Sequence, residues 1–559
     1  MKTIFFATTI CLLLVCGHAR AQQQEEEGRR AQPQPTTTSG VFTSYVGGQA
    51  VITESYTFAA AADGTTLRAE AETGPASGPM SKTVTLAARA RVTSFTVESG
   101  GARVYAAEFG AGVVKISAAG QSAREVPSKA TVVLENLLWH QFHFLLAQYD
   151  HARGGRQPFN FFLSAAAGRD FEIVVERVGP RSYGEGPRAL KTVYYTLAAA
   201  GNTIEMWTDE AGTPLLFALA AQQLRAVRRG AEELEKLAFA DAPKVPEWKP
   251  PAYADTAAFR EQEVTIGAGT EWALPGTLAM PVGRAPHSAL VLVHGSGPND
   301  RDETLVASKP FRDLAWGLAS QGIAVLRYDK RTRIHGARLA RSQTFTVNEE
   351  TVDDALAAVA LLRRTPGVDA KRIFVLGHSL GGGLVPRIGA LDPRIRGFVI
   401  LAGYTRPLQD EMIRQYEYLF NLDGVVGDDE RKRIEGARRT AARIRALTAA
   451  DLASGELLHG APPAYWLDLR GYSPSAEARK LRRPVLVLQG ERDYNVTMDA
   501  FADWRRALSG RRDAAFKTYP KLDHAFLEGE GLSKDSDYAA PRNVAPYVVA
   551  DIAAWIKRS

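Results

Sequence analysis

The stretch Lys371–Gly389, KRIFVLGHSLGGGLVPRIG, constrains this chain more than any other. A short apolar run, Ile373 to Leu376, reads as a buried strand. Gly377-His378-Ser379-Leu380-Gly381 follows at once, and a small-residue helical pattern comes next. Strand, G-x-S-x-G and helix in that order describe a sharp turn with the serine at its apex. A serine held in such a turn leaves no room for a side chain at Gly377 or Gly381. The strain lifts the Ser379 hydroxyl above the sheet, and the following helix aims its positive N-terminus at it. Ser379 therefore reads as a nucleophile rather than a structural serine. Pro386 removes a donor from the helix that follows, which predicts a local kink.

The chain of 559 residues is too long for one ordinary core. Two or three domains are expected. Its content, 45% hydrophobic and 23% charged, is that of a globular protein. Residues 1–21 carry Lys2, an apolar run from Ile4 to Val15, and Ala19-Arg20-Ala21 as a cleavage site. That is the pattern of a secretory signal. The run is too short to span a bilayer, and no transmembrane segment is read elsewhere. A lipoprotein cleavage at Cys16 is the weaker reading, because Val15 before it is bulkier than the usual small residue. Both cysteines, Cys11 and Cys16, fall inside the signal. No disulfide, thiol nucleophile or cysteine metal ligand is therefore expected beyond it. Loss of Lys2 and Arg20 takes the net charge from +6 to +4, and acids alternate with bases throughout. The basic cluster Arg431 to Arg445 reads as a solvated helix face, not a nucleic-acid footprint. The expected location is the periplasm or the cell exterior.

Residues 22–39 are polar and of low complexity, which predicts a disordered tether. Residues 40–241 read as an antiparallel β-rich domain. Runs such as Phe171 to Val178 and Thr192 to Leu197 are separated by the turn signals Ala62-Asp63-Gly64, Gly100-Gly101, Gly201-Asn202 and Glu210-Ala211-Gly212. One helix interrupts it, Leu134 to Tyr149, with Leu138, Phe142, Leu145 and Tyr149 on one face. His140 and His143 lie on that helix with no carboxylate partner evident, so packing is favoured over a metal site. The proline-containing stretch 242–262 reads as a linker. From 263 to 559 the texture changes to short, unalternating apolar runs separated by amphipathic helical patterns. That is the signature of parallel strands covered on both faces. Strand rhythm stops between 404 and 472, where Leu408 to Phe420 and Asp429 to Leu447 read as helices of a cap, with Tyr465 and Trp466 near its end.

A serine needs a base held by an acid. The strand Val485 to Leu488 leads into Gln489-Gly490-Glu491-Arg492-Asp493, and Asp493 is the candidate acid, ahead of Glu491. His524, in the loop after Phe516 to Tyr519, is the candidate base and completes the chain order Ser, Asp, His. Asp523 beside it reads as a loop-ordering group. For an oxyanion the donors expected are the backbone N–H of Leu380 and that of Ser296 in His294-Gly295-Ser296-Gly297-Pro298, with Gly295 next. His294 reads as an anchor of this loop, braced by Asn299, Asp300, Arg301 and Asp302. Arg327 to Arg331 ends another strand on the same rim and reads mainly as structural ion pairs.

These residues carry a resemblance. VHGSGPNDRDE, LRYDKRT, GHSLGG and QGERDYNV are similar to secreted bacterial carboxylesterases of the α/β-hydrolase superfamily, on the dienelactone-hydrolase-like branch, with an extra N-terminal domain. The resemblance covers about Glu263 to Ser559. It implies an eight-stranded, mostly parallel sheet, a triad of Ser379, His524 and Asp493, and no cofactor or metal. The expected substrate is a small-molecule ester, with short acyl chains because the cap lacks a long exposed apolar stripe. A serine peptidase on the same fold is the first rival, with Asp428, Asp429 and Glu430 as the acids for a peptide amino terminus. The second is a ligand- or envelope-binding module with a vestigial hydrolase. Nothing in the pattern selects an oligomeric state.

Overall fold

The computed structural model describes residues 37–559, apart from 239–247, positions 340, 341, 343 and 455, and short stretches in the N-terminal half. The expected signal, residues 1–21, and most of the tether lie outside the described residues. The chain divides into two compact units between Lys244 and Val245.

The N-terminal unit is a single sheet of fifteen described strands. The first strand, Thr37–Val46, begins inside the range expected to be tether, because it pairs on one side with Gln49–Ala61 and on the other with the last strand, Leu224–Arg228. Consecutive strands run outward from it on both sides, and every neighbouring pair is antiparallel except Val132–Leu134 with Arg156–Leu163. Phe95 and Val97 of one arm share a core with Phe162 and Val175 of the other, so the sheet is curled. A helix lies within that core.

This helix is shorter than its sequence suggests. It spans Phe142–Ala147 only, and Leu134 ends a strand instead. The apolar face is nonetheless buried, with Leu138, Phe142, Leu145 and Tyr149 all inside. His140 does have a carboxylate partner: its Nδ1 bonds Glu54, from a strand 86 residues earlier, in a fully buried pair. The other Glu54 oxygen accepts from the Trp139 N–H at 2.8 Å. Burying a charge is tolerated when it is paired and bonded in this way. Sequence alone could not pair residues so far apart.

The C-terminal unit holds an eight-stranded sheet. Its strands are β1 (Phe259–Ile266), β2 (Leu274–Pro281), β3 (His287–Val293), β4 (Ala324–Tyr328), β5 (Val368–His378), β6 (Gly397–Leu401), β7 (Val485–Gly490) and β8 (Ala514–Tyr519). Their order is β1-β2-β4-β3-β5-β6-β7-β8. Pairing is parallel from β4 to β8, while β2 runs antiparallel to both β1 and β4. Alternate residues of the central strands enter different cores. Leu290, Leu292, Phe374, Leu376, Val399 and Leu486 pack against α1 (Pro310–Ala319) and the last helix, Pro546–Arg558. Val291, Val293, Val375, Ile400 and Val487 pack against α2 (Asp353–Arg364) and α3 (Leu380–Leu391). Both faces are covered, which is why these strands read as unbroken apolar runs. Strand order reverses between β3 and β5, and open α/β sheets bind ligands at such a switch point, beyond the carboxyl ends of the strands.

The expected cap contains α4 (Leu408–Phe420), α5 (Asp428–Ala446) and α6 (Pro463–Leu469). It is bonded to the loops beyond the strand ends: Gln415 Nε2 donates to the Asn495 carbonyl at 3.1 Å and the Tyr418 hydroxyl to that of Ser533 at 2.9 Å. Tyr418 also stacks on Tyr494 with ring centroids 4.8 Å apart.

Residues 242–247 of the expected linker lie outside the described residues, and residues 248–262 belong to the C-terminal unit. Strand β1 starts at Phe259, and Trp248 and Tyr253 are fastened to the C-terminal unit. Trp248 Nε1 donates to Asp313 at 2.8 Å and the Tyr253 hydroxyl to the Val544 carbonyl at 2.8 Å. Burial pushes the Asp313 carboxyl up to about 7, against bonds from Val544, Trp248 and Asn543. Removing one donor from this buried group costs about 1–2 kcal/mol. Trp248→Phe should therefore lower the stability of the C-terminal unit by that amount in denaturant titration; an unchanged midpoint would mean the bond contributes nothing.

Candidate active site

Ser379 sits between the end of β5 and the first residue of α3, at φ 52° and ψ −112°. Such a conformation costs a non-glycine residue about 1–3 kcal/mol. The turn closes because its flanking glycines have no side chains. A Cβ on Gly381 would stand 2.5 Å from the Val293 carbonyl oxygen and 2.6 Å from that of His294, and one on Gly377 would strike the Gly381 carbonyl. The Gly381 N–H donates to the His294 carbonyl at 3.0 Å, tying the serine turn to the loop after β3. Leu380 is the first residue of α3, where a backbone N–H has no acceptor within its own helix. Pro386 lies inside this helix.

Asp493 and His524 are brought together. Asp493 Oδ2 lies 2.7 Å from His524 Nδ1 and accepts from Gln489 Nε2 at 2.9 Å. Its Oδ1 accepts from the N–H groups of Asn495 and Val496 at 2.8 and 2.9 Å. A carboxylate only accepts, so Nδ1 donates, and in the neutral tautomer this selects Nε2 as the nitrogen with the lone pair. His524 is tied to the serine turn through its backbone. The Nε2 of His378, the residue before Ser379, donates to the His524 carbonyl at 2.9 Å, and the two ring centroids lie 4.6 Å apart. Glu491 instead accepts from Thr518 at 2.7 Å on the surface. Asp523 accepts from the N–H groups of Ala525 and Leu527, both at 3.0 Å, and so orders the loop.

The loop after β3 passes over the serine. An imagined Cβ on Gly295 would lie 3.1 Å from Ser379 Cβ, so any side chain there would press on the serine. The Gly295 N–H, however, donates to Glu303 Oε1 at 2.7 Å. It is spent inside the protein, which removes Gly295 as an oxyanion donor. Ser296 is exposed. His294 is held neutral, its pKa lowered to about 4 by burial, and it anchors the loop by a 3.0 Å bond to the Asp300 carbonyl. Asn299 bonds the carbonyls of Gly295 and Ser296 at 3.2 and 3.0 Å. Arg301 grips Asp329 at 2.9 Å and Asp302 takes Arg327 at 2.8 Å. Arg331 pairs with Asp354, whose carboxyl burial lifts to about 6 against that guanidinium.

Sequence reasoning misses Glu303 and Glu350, and it reads Lys330 and Tyr465 only as parts of the rim and the cap. All four are buried members of one network. Glu303, at φ 50°, stands 2.9 Å from His378 Nδ1 through its second oxygen. Burial pulls the His378 pKa down, but Glu303 outweighs it and the net direction is up. Burial likewise raises Glu303, and His378 with the Gly295 N–H brings it below its usual range. Lys330 donates to the Gly295 carbonyl at 2.8 Å and to Glu350 at 2.7 Å, and Glu350 accepts from Tyr465 at 2.7 Å. The one sequence signal is position: Glu303 closes the charged run after the glycine-rich loop, and Lys330 follows a strand end.

The family model described as serine aminopeptidase, S33, matches residues 284–530. Esterase EstD of Thermotoga maritima is 38% identical over 320 residues, which span 57% of this chain and 73% of that protein. Among solved structures, a putative dienelactone hydrolase from Klebsiella pneumoniae is 20% identical, covers 54% of this chain and all of its own, and has a TM-score of 0.33. The esterase domain of a Rhodothermus marinus protein is 21% identical over 54% of this chain and 98% of its own, also with a TM-score of 0.33. The EstD identity across most of that relative's length, on a sheet of this order with its serine turn after β5, places the chain in the α/β-hydrolase family alongside the esterases.

Proposed function

We propose that this protein is a serine carboxylesterase that hydrolyses short-chain acyl esters and works outside the cytoplasm. The observation that carries the reading is the 2.7 Å bond between His524 and Asp493, on a loop fastened to the residue before a strained serine. A named esterase as a 38% identical relative supports the reaction class.

Ser379 Oγ attacks the ester carbonyl carbon while His524 Nε2 takes its proton. Asp493 fixes the tautomer and steadies the imidazolium. The oxyanion is held by the N–H groups of Leu380 and Ser296, a contribution of about 3–4 kcal/mol for one such donor. Collapse breaks the bond to the alkoxy oxygen, which leaves with the proton from His524. Water then repeats the sequence on the acyl-enzyme and frees the acid and Ser379. Export rests on the N-terminal pattern of residues 1–21.

Two measurements test this. Hydrolysis of p-nitrophenyl esters from acetate to laurate should peak at acetate or butyrate, and a fluorophosphonate should label Ser379 stoichiometrically by peptide mass spectrometry. Rates climbing steadily toward laurate would overturn the short-chain reading; label on another residue would overturn the nucleophile.

The peptidase alternative draws on the description of the family model. Against it, Asp428 pairs with Arg431 and Glu430 accepts from the Gly427 N–H at 2.8 Å, so both start helix α5. Aminoacyl p-nitroanilides assayed beside the esters separate the two. A binding role for the N-terminal unit is compatible with either.

A further inference from the structure

Gly295 is gripped at both ends, its N–H by Glu303 and its carbonyl by Lys330 at 2.8 Å and Asn299 at 3.2 Å. The carbonyl of Gly295 and the N–H of Ser296 belong to one planar peptide group. In a trans peptide these two point in opposite directions. Whatever fixes the Gly295 oxygen therefore also fixes the direction of the Ser296 N–H. A cation on the oxygen further polarises the group and makes that N–H a better donor.

Lys330 is unusual for this duty, being only 1% exposed. A buried ammonium needs a partner. Glu350 supplies one at 2.7 Å. Glu350 comes from a π-helical turn, Asn348–Val352, immediately before α2. Such turns are rare and recur at functional sites. Its second oxygen accepts at 2.7 Å from the hydroxyl of Tyr465, on cap helix α6. An unbroken chain of bonds thus runs from the cap to the peptide that overlies the nucleophile.

We propose that Lys330 is a positioning residue for the oxyanion donor, and that Glu350 and Tyr465 couple its ammonium to the cap. The proposal rests on the reading of Ser296 as that donor. Lys330 sets where the Ser296 N–H points; Glu350 stops the ammonium from turning away; Tyr465 makes that hold depend on how the cap is seated.

The test compares the wild type with Lys330→Met, with Lys330→Met combined with Glu350→Gln, and with Tyr465→Phe. The double variant removes both charges together, so the fold does not carry a lone buried carboxylate. Active sites are counted by fluorophosphonate titration. For p-nitrophenyl butyrate, kcat per titrated site should fall about 100-fold in both Lys330 variants. KM should stay within twofold, while inhibition by a trifluoromethyl ketone, which forms a tetrahedral oxyanion on the serine, should weaken by the same factor as kcat. Tyr465→Phe should move both quantities the same way by about three- to tenfold. Unchanged kcat per titrated site would overturn the proposal, as would a lowered kcat with trifluoromethyl ketone affinity retained. A control distinguishes its failure from that of the wider reading. Ser379→Ala inactive beside an unaffected Lys330→Met sinks only the role of Lys330; an active Ser379→Ala sinks the serine mechanism and the proposal with it.

Discussion

Ser379→Ala should lower kcat/KM for p-nitrophenyl butyrate by about a million-fold, and His524→Ala should fall to the same floor. Asp493→Asn should stop short of it, at about ten-thousand-fold. The ranking follows from the proposed mechanism. In that mechanism Ser379 and His524 both change bonds, so losing either removes the nucleophilic route entirely. Asp493 changes none. It accepts from His524 Nδ1, and an asparagine there can offer its amide in the carboxylate's place, which turns the tautomer the wrong way. Its other oxygen holds the N–H groups of Asn495 and Val496, and the asparagine carbonyl can keep those bonds, so the loop should stay folded. The double variant Ser379→Ala with His524→Ala should be no slower than either single one, because the two act as a unit. Steady-state rates with thermal midpoints alongside decide it. A Ser379→Ala enzyme within a hundredfold of wild type would show that the reaction does not pass through this serine.

What could be read from the sequence follows from what each contact needs. The central strands were legible because burial on both faces demands apolar residues at every position, as in the fully buried Val485–Gly490. The cap helix Leu408–Phe420 was legible from its periodicity alone. Strand β1, FREQEVTI, was not. It lies at the sheet edge and exposes Arg260, Glu261, Gln262, Glu263 and Thr265, so it resembles the linker before it. The helix around Phe142 was drawn too long because Val132–Leu134 is equally apolar, and burial does not distinguish a strand from a helix. At the site, local motifs named Ser379, Asp493 and His524 as candidates, each in the segment that follows a strand. The network beneath them lay out of reach. Tyr465 and Glu350 are 115 residues apart, and the turn that joins them to Lys330 has no sequence signature of its own. Gly295 shows the same limit from the other side. Its glycine marked the loop that lies against Ser379, but the loss of its N–H to Glu303 is visible only once the loop is folded.

Glu303 carries the second large effect. Glu303→Ala should destabilise the C-terminal unit by about 3–5 kcal/mol, the usual consequence of removing one member of a buried pair. Both His378 and the Gly295 N–H lose their partner in that variant. Glu303→Gln should cost much less. Its carbonyl can still accept from Gly295, and its amide can donate to a neutral His378 Nδ1, so both contacts survive without charge. The two variants separate charge from bonding through pH. Glu303 has a native pKa below its ordinary value. Its contribution is complete above about 4.3 and fades as pH falls through the lowered native value. His378 has a native pKa above its ordinary value. Its contribution is complete below about 6.5 and fades as pH rises through the raised native value. The charge pair is therefore fully expressed between about pH 4.3 and 6.5. The stability gap between wild type and Glu303→Gln should be widest there and close above it. For Glu303→Ala a further part, from the stranded Gly295 N–H, should persist at every pH. Denaturant titrations followed by loss of ester hydrolysis, run from about pH 4 to 9, would measure both. A Glu303→Gln gap that stays level across that range would mean that His378 stays neutral and that the link between the serine turn and the loop over it is held by hydrogen bonds alone.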